Sequence, residues 1–129
     1  MAGRLKRMNI QPDFILSSNA IRALHTATIF GRVLGIDFDR FAIAPDIYES
    51  NQSTVFNKLT RLNNEFSSVM VFGHNPAFTE IISLLTEEVI DNLPTTGVVE
   101  IEFDIDAWKD IQPHKGVLSF FEYPKKEEK

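Results

Sequence analysis

The chain has 129 residues, of which 43% are hydrophobic and 24% charged, and its formal net charge is −5. This composition is typical of a folded protein rather than a disordered one, and the length predicts a single domain spanning residues 1–129. The negative charge argues against wholesale binding to nucleic acid or to anionic membranes, and the absence of cysteine excludes disulfides and thiolate chemistry.

The sequence has no stretch suited to a membrane or to export. No apolar run approaches the ~20 residues that a membrane helix needs, and no signal-peptide core follows Met1. We therefore expect a cytoplasmic protein that has no membrane partner.

The first nine residues, MAGRLKRMN, place apolar residues three apart among basic ones, which predicts the end of an amphipathic helix. No capping Ser, Thr, Asp or Asn precedes this pattern, and its first turn holds no acid. We therefore expect the chain to begin inside a helix.

Two segments share the order strand, polar turn, helix. In the first, the apolar run at 14–16 predicts a buried strand, Ser17-Ser18-Asn19 offer helix caps, and the helix ends near Gly35. In the second, the strand at 68–72 leads through Gly73-His74-Asn75-Pro76 into a helix that ends near residue 85, with Asn75 at the cap and Pro76 in the first turn.

The remaining segments are assigned from their composition and from the spacing of their apolar residues. They are an irregular or short-strand segment at 37–44, a loop at 45–50, a helix at 54–62, a strand with one wet face at 98–103, a strand at 116–123 and a solvated tail at 125–129. The alternation of strands and helices predicts an α/β three-layer sandwich with a mainly parallel sheet, in which the last strand pair can be antiparallel. Ligands of such sheets bind beyond the carboxyl ends of the strands, where both polar turns lie.

Arg22 is the first candidate for a binding residue. It falls in the first turn of the predicted helix after Asn19, where the helix dipole disfavours a bare cation by about 0.3 to 1 kcal/mol. A bound phosphate would reverse this penalty, since free helix amides and the arginine fork both suit phosphate oxygens. His25, one turn later, would project on the same side. The alternative is a solvated arginine beside a satisfied polar histidine.

His74 is the second candidate, because it lies where a strand leads into a helix. It could bind phosphate or act as an acid–base group, and Gly73 allows the backbone to approach a ligand closely. The alternative is a turn histidine that is hydrogen-bonded to nearby backbone. Glu49 could donate a proton if its loop reaches the same place, and the alternative is a solvated loop acid. His114 is interpreted as a plain loop residue.

Other chemistries lack their sequence patterns. Three scattered histidines with no HxH or HExxH spacing predict no metal site, and no GxGxxG or Walker loop is present. Ser17 and Ser18 lie in no GxSxG elbow. We therefore predict no metal site, no nucleotide-binding loop of these kinds and no serine nucleophile.

Taken in order, several segments resemble the SixA-type phosphohistidine phosphatases of the histidine phosphatase superfamily, which is also called phosphoglycerate mutase-like. The segments lie at 12–23, 47–50, 71–76, 93–99 and 103–108. Each one is weak by itself, but the ordered set covers almost the whole chain.

The resemblance implies an α/β/α sandwich that hydrolyses phosphohistidine on a partner protein through a phosphohistidine enzyme intermediate, without a metal or cofactor. By it, Arg22 matches a phosphate-binding arginine, and His74 matches the second histidine, which stabilises charge in the transition state. Glu49 lies near the acidic proton donor of the superfamily. His25 stands where relatives often carry Gln.

The chain also departs from the family pattern. The nucleophile of the family lies in an Arg-His-Gly or Arg-His-Ala motif after the first strand, and no Arg-His pair occurs here. We expect that a misplaced start or trimming has removed that strand and motif, and natural loss of the motif is the alternative. A chain of these residues alone would then be inactive, and unpaired strand edges could join copies of it into a homo-oligomer.

Two other functions stay open. One is a small-molecule phosphomonoesterase or mutase of the same superfamily, although such enzymes often build their pocket from inserted segments that this chain lacks. The other is a non-catalytic phosphate or phosphoprotein-binding module, a pseudoenzyme whose sequence truly starts at Met1.

Overall fold

Helices and strands alternate along the chain, as the sequence predicts. The computed structural model describes residues 1–47, 52–74, 77–90 and 97–123. In chain order the helices and strands are α1 (Ala2–Arg7), β1 (Phe14–Ser17), α2 (Ile21–Leu34), β2 (Phe41–Ile43), α3 (Gln52–Thr60), β3 (Val69–Phe72), α4 (Ala77–Leu85), β4 (Val98–Glu102) and β5 (Val117–Glu122). Short 3-10 turns lie at Phe38–Arg40, Pro45–Ile47 and Trp108–Asp110.

Three strands form a parallel sheet in the order β2-β1-β3. The register pairs Ile15 with Phe41 on one side and with Met70 on the other. Three of the four residues of β1 are buried, which confirms the predicted strand that is covered on both faces. The parallel pairing brings the carboxyl ends of β1 and β3 to the same edge of the sheet.

The last two strands pair antiparallel, with Val98 opposite Glu122 and an irregularity between Glu100 and Ile101. The antiparallel pairing agrees with the prediction. Within the described ranges, however, β4 and β5 form a sheet of their own rather than an extension of the parallel one.

The chain divides into two compact units. The first comprises residues 1–50 and 63–74, and the second comprises 51–62 and 75–129. Unit 1 therefore holds the parallel sheet with α1 and α2, whereas unit 2 holds α3, α4 and the antiparallel pair. Each unit is built from two separate stretches of chain. That they fold together as one domain stays a prediction.

Helix α2 approaches β1 closely in unit 1. A Cβ placed on Gly31 would lie 3.5 Å from Cδ1 of Ile15, and the ring of Phe30 meets that of Phe72 edge-on at 5.2 Å. The helix ends at Gly35, whose left-handed φ of 73° suits glycine. This end was predicted correctly. The sequence spacing predicts an apolar face of Ala20, Leu24, Ala27, Gly31 and Leu34, which is only partly right. The buried positions are Ala23, Ala27, Phe30, Gly31 and Leu34.

Helix α1 begins without a side-chain cap and without an acid in its first turn, in line with the missing start signal. Ala2 and Leu5 are buried, and α1 packs against α2. Apolar burial therefore holds this short helix in unit 1.

The core of unit 2 gathers five buried aliphatic residues, Val55, Ile81, Ile82, Leu85 and Ile111. Val55 belongs to the helical spacing predicted for α3, whereas Ile81, Ile82 and Leu85 lie on α4, which was predicted as a helix without naming its buried positions. Ile111 follows the third 3-10 turn. No helix in the described parts of the chain is long and apolar enough to cross a membrane.

Candidate functional site

His74 lies at the carboxyl end of β3, two residues after the strand ends at Phe72. Its Nε2 atom is 3.0 Å from Oγ of Ser18, which directly follows β1. The backbone N–H of Ser18 also donates to the carbonyl oxygen of Phe72 at 3.0 Å. Pairing of two neighbouring parallel strands therefore brings together residues that are 56 positions apart in the chain.

Ser18 is fully buried, with 0% of its surface exposed. Its Oγ accepts the backbone N–H of Ala20 at 3.2 Å, so the hydroxyl faces both the turn into α2 and the ring of His74. The preceding Ser17 is equally buried, but its hydroxyl donates to the backbone carbonyl of Ser18 at 2.9 Å. Of these two adjacent serines, one contacts the histidine and the other contacts backbone.

The expectation that Ser17, Ser18 or Asn19 would cap α2 is wrong. The N-cap residue is Ala20, and no side chain of that residue caps the helix. The hydroxyl of Ser18 accepts the backbone N–H of Ala20, which precedes the helix, and also contacts His74. The first turn of α2 contains no acid, so its amide groups and the helix dipole favour an anion.

Arg22 is the second residue of α2 and is exposed. Within the described ranges it makes no hydrogen bond or ion pair with another residue. His25 is exposed one turn further along the same helix. Both residues therefore lie at the helix end where they were predicted, available to solvent.

The structure thus brings together two turns but not every predicted residue. His74 meets Ser18, which precedes Arg22 by four positions. That Arg22, His25 and His74 hold one anion stays a prediction. Glu49 lies outside the described residues, and so do Asn75 and Pro76.

Sequence reasoning missed Ser18, which it considered only as a helix cap or a nucleophile. A signal was available, since the first residues beyond neighbouring parallel strands meet at one edge of the sheet. Applying that rule to the residue after β1, as was done for the residues after β3, would have identified Ser18.

His114 has a structural task that its interpretation as a plain loop residue did not include. Its ring Nδ1–H donates to the carbonyl oxygen of Thr86 at 2.7 Å, and its backbone N–H donates to that of Leu84 at 2.8 Å. These bonds satisfy carbonyl groups at the end of α4 and hold His114 in a left-handed conformation, with φ of 64°.

An open cleft of about 510 Å³ lies in unit 2 and is lined in part by Gln52, Glu80 and His114. None of the residues that line it belongs to the predicted phosphate site. The cleft and the Ser18–His74 pair are therefore separate features of the chain.

Comparison with known sequences gives distant relatives. No protein-family model matches the chain. Two uncharacterized proteins of Mycobacterium tuberculosis, from strains CDC 1551 and H37Rv, are each 25% identical to it over 136 residues. The alignments cover 97% of this chain and 82% of the relatives.

Comparison with solved structures gives stronger likenesses. A protein from Agrobacterium tumefaciens that is named as a phosphohistidine phosphatase SixA has a TM-score of 0.78 and 24% identity, covering 95% of this chain and 75% of its own. A protein histidine phosphatase SixA complexed with tungstate has a TM-score of 0.77 and 21% identity, with 93% and 74% covered. A third protein, from Nakamurella multipartitia and also named as SixA, has a TM-score of 0.75 and 16% identity, with 95% and 77% covered.

These likenesses extend over nearly the whole chain. They confirm the fold that the sequence resemblance implies. The chain has the α/β fold of the SixA-type, phosphoglycerate mutase-like histidine phosphatases.

Proposed function

We propose that this chain carries the phosphate-binding part of a SixA-like phosphohistidine phosphatase, which hydrolyses phosphohistidine on a partner protein through a phosphohistidine enzyme intermediate. The observation that carries the proposal is the hydrogen bond between Ser18 and His74, because it joins the turns after β1 and β3. In α/β sheets, ligands bind at such an edge.

The charges nearby support an anionic ligand. Arg22 and the uncapped start of α2 present a cation and backbone N–H groups, and no acid occurs in that first turn. Tungstate, which is bound to one structural neighbour, is an oxyanion with the charge and tetrahedral shape of phosphate. We propose that Arg22 holds phosphate oxygens and that His74 stabilises the transferring group.

His25 is proposed as a further phosphate ligand, and Glu49 as the proton donor. The nucleophilic histidine would come from the Arg-His motif of the SixA-type phosphatases, and no Arg-His pair occurs among the 129 residues. We therefore propose that a protein made of these residues alone binds phosphate but does not hydrolyse phosphohistidine.

Replacing Arg22 tests the anion site. We expect Arg22→Ala to weaken tungstate or phosphate binding by about 10- to 100-fold, since hydrogen bonds to charged groups contribute roughly 1.5–3 kcal/mol. Isothermal titration calorimetry at fixed ionic strength measures this loss.

Arg32 supplies the matched control for that experiment. It is an exposed arginine in the last turn of the same helix, so Arg32→Ala removes equal charge and should change the affinity less than about twofold. Equal losses from both substitutions would mean that the anion responds to net charge and not to a site at Arg22.

Competition experiments separate the alternative functions. A phosphohistidine peptide that binds more tightly than sugar phosphates supports the protein substrate, and the reverse order favours a small-molecule phosphomonoesterase or mutase. Release of phosphate from the peptide by the 129-residue chain would contradict our proposal that the nucleophile is missing.

A further inference from the structure

Among the described residues, the hydroxyl proton of Ser18 has one acceptor. Because Ser18 is fully buried, that proton is not exposed to bulk solvent, and a buried donor without an acceptor is costly. Among the described contacts of its Oγ, the N–H of Ala20 can only donate. The other contact is Nε2 of His74, at 3.0 Å.

The direction of this hydrogen bond follows from the count of donors. If Nε2 carried a proton and donated it to Ser18, the Oγ would accept from both His74 and Ala20, and its own proton would be left without a partner. If Ser18 donates to Nε2, all of these groups are satisfied. Since a neutral imidazole has one N–H, the proton of the ring then lies on Nδ1.

We propose that Ser18 is a positioning residue that holds His74 as its Nδ1–H tautomer and fixes the orientation of the ring. Tautomer choice in histidine is set by the hydrogen bond made at the other nitrogen. The tautomer matters for phosphate binding because an anionic oxygen is repelled by the unprotonated nitrogen of the ring and attracted by the N–H. This part of the inference rests on the function proposed above.

Nuclear magnetic resonance of the ring nitrogens tests the tautomer without any ligand. With ¹⁵N-labelled protein at a pH where His74 is neutral, we expect long-range ¹H–¹⁵N spectra to show a protonated Nδ1 and an unprotonated Nε2. Ser18→Ala removes the donor, so the fraction of the Nε2–H tautomer should rise, whereas Ser18→Thr keeps a hydroxyl and should retain the Nδ1–H form.

Ser17→Ala is the matched control, because it removes an equally buried hydroxyl that donates to backbone instead. This variant should leave the tautomer of His74 unchanged. A protonated Nε2 in the unmodified protein would overturn the proposal, and so would a tautomer that responds equally to Ser17→Ala and Ser18→Ala. The unmodified protein decides the matter even if a variant fails to fold.

Tungstate affinity provides the second measurement. Loss of one hydrogen bond to His74 should weaken tungstate binding about 2- to 10-fold in Ser18→Ala, with near-normal affinity in Ser18→Thr and Ser17→Ala. If the unmodified protein does not bind tungstate, the proposed function fails while the nitrogen spectra still decide the role of Ser18. If it binds tungstate and Ser18→Ala binds equally well, the positioning role is wrong and the proposed function survives.

Discussion

Gly116 has no room for a side chain. A Cβ at this position would lie 2.6 Å from Cγ2 of Ile101 and 2.8 Å from both the carbonyl oxygen of Leu85 and the ring of Phe103. One of the three neighbours is backbone, which is fixed at the end of α4 by its bond from the N–H of Gly116. A methyl group could therefore be accommodated only by moving the start of β5 away from the end of α4.

Gly116→Ala should consequently destabilise the protein by about 1–3 kcal/mol, the usual cost of overpacking. Urea unfolding followed by circular dichroism measures the change. Gly3→Ala is the control, because a Cβ on Gly3 would meet nothing nearer than 3.6 Å, and alanine in a helix should stabilise by about 0.5–1 kcal/mol. Equal stability of Gly116→Ala and the unmodified protein would show that the strand yields easily.

At the level of elements, Asp13 aligns the starts of β1 and β3. Its carboxylate accepts the backbone N–H groups of Ser67 and Ser68 at 2.8 and 3.3 Å, and its own N–H donates to the carbonyl oxygen of Ser68 at 2.9 Å. Just beyond, the rings of Phe14 and Phe66 stack at 4.5 Å. These contacts set the register that places Ser18 and His74 side by side at the other end of the sheet.

Asp13→Ala should therefore cost about 1–2 kcal/mol of stability, because it leaves charge-assisted hydrogen bonds unmade. Hydrogen exchange should also speed up at the amides of β3. Asp39→Ala, at an exposed acid in a 3-10 turn of the same unit, should change the stability by less than about 0.5 kcal/mol. If the two substitutions have the same effect, the bonds of Asp13 do not hold the register.

At the level of the whole molecule, the chain passes between the two units three times. Unit 1 closes only at residue 74, after the chain has already supplied α3 to unit 2. Because neither unit is one continuous segment, neither can be completed without chain that passes through the other. This topology favours the single domain that the length predicts, with one cooperative unfolding transition.

Trp108, the single tryptophan, lies in unit 2 and reports on cooperativity. Ile15→Val, in the buried centre of unit 1, should destabilise by about 0.5–1.5 kcal/mol and should lower the urea midpoint of Trp108 fluorescence and of circular dichroism alike. Ile82→Val in unit 2 is the positive control, because it should lower the urea midpoint of Trp108 fluorescence directly. A fluorescence midpoint that Ile15→Val leaves unmoved would mean that the units unfold independently.

The sequence predicted local structure well, because local structure depends on neighbouring residues. The apolar run at 14–16, the glycine at position 35 and the spacing within 54–62 each contain their own signal. The turns that follow β1 and β3, near Arg22 and His74, were predicted for the same reason. What could not be predicted depends on distant residues.

Two examples show this limit. The N-cap of α2 is Ala20, and the hydroxyl of Ser18 is bonded instead to a histidine 56 positions away. Helix propensity contains no term for such a partner. The separate pairing of β4 and β5 is set by their hydrogen-bond partners, whereas alternating side chains reveal only which face of a strand is covered.

The distance between Ser18 and His74 along the chain also has a consequence in time. At roughly 5–20 residues per second, about 3 to 11 s of synthesis separate the two residues. During that interval β1 can pair with β2 but not with β3, so one edge of the nascent sheet stays open. His74 is the last residue of unit 1, and an anion site that needs it can appear on a nascent chain only when that unit is complete.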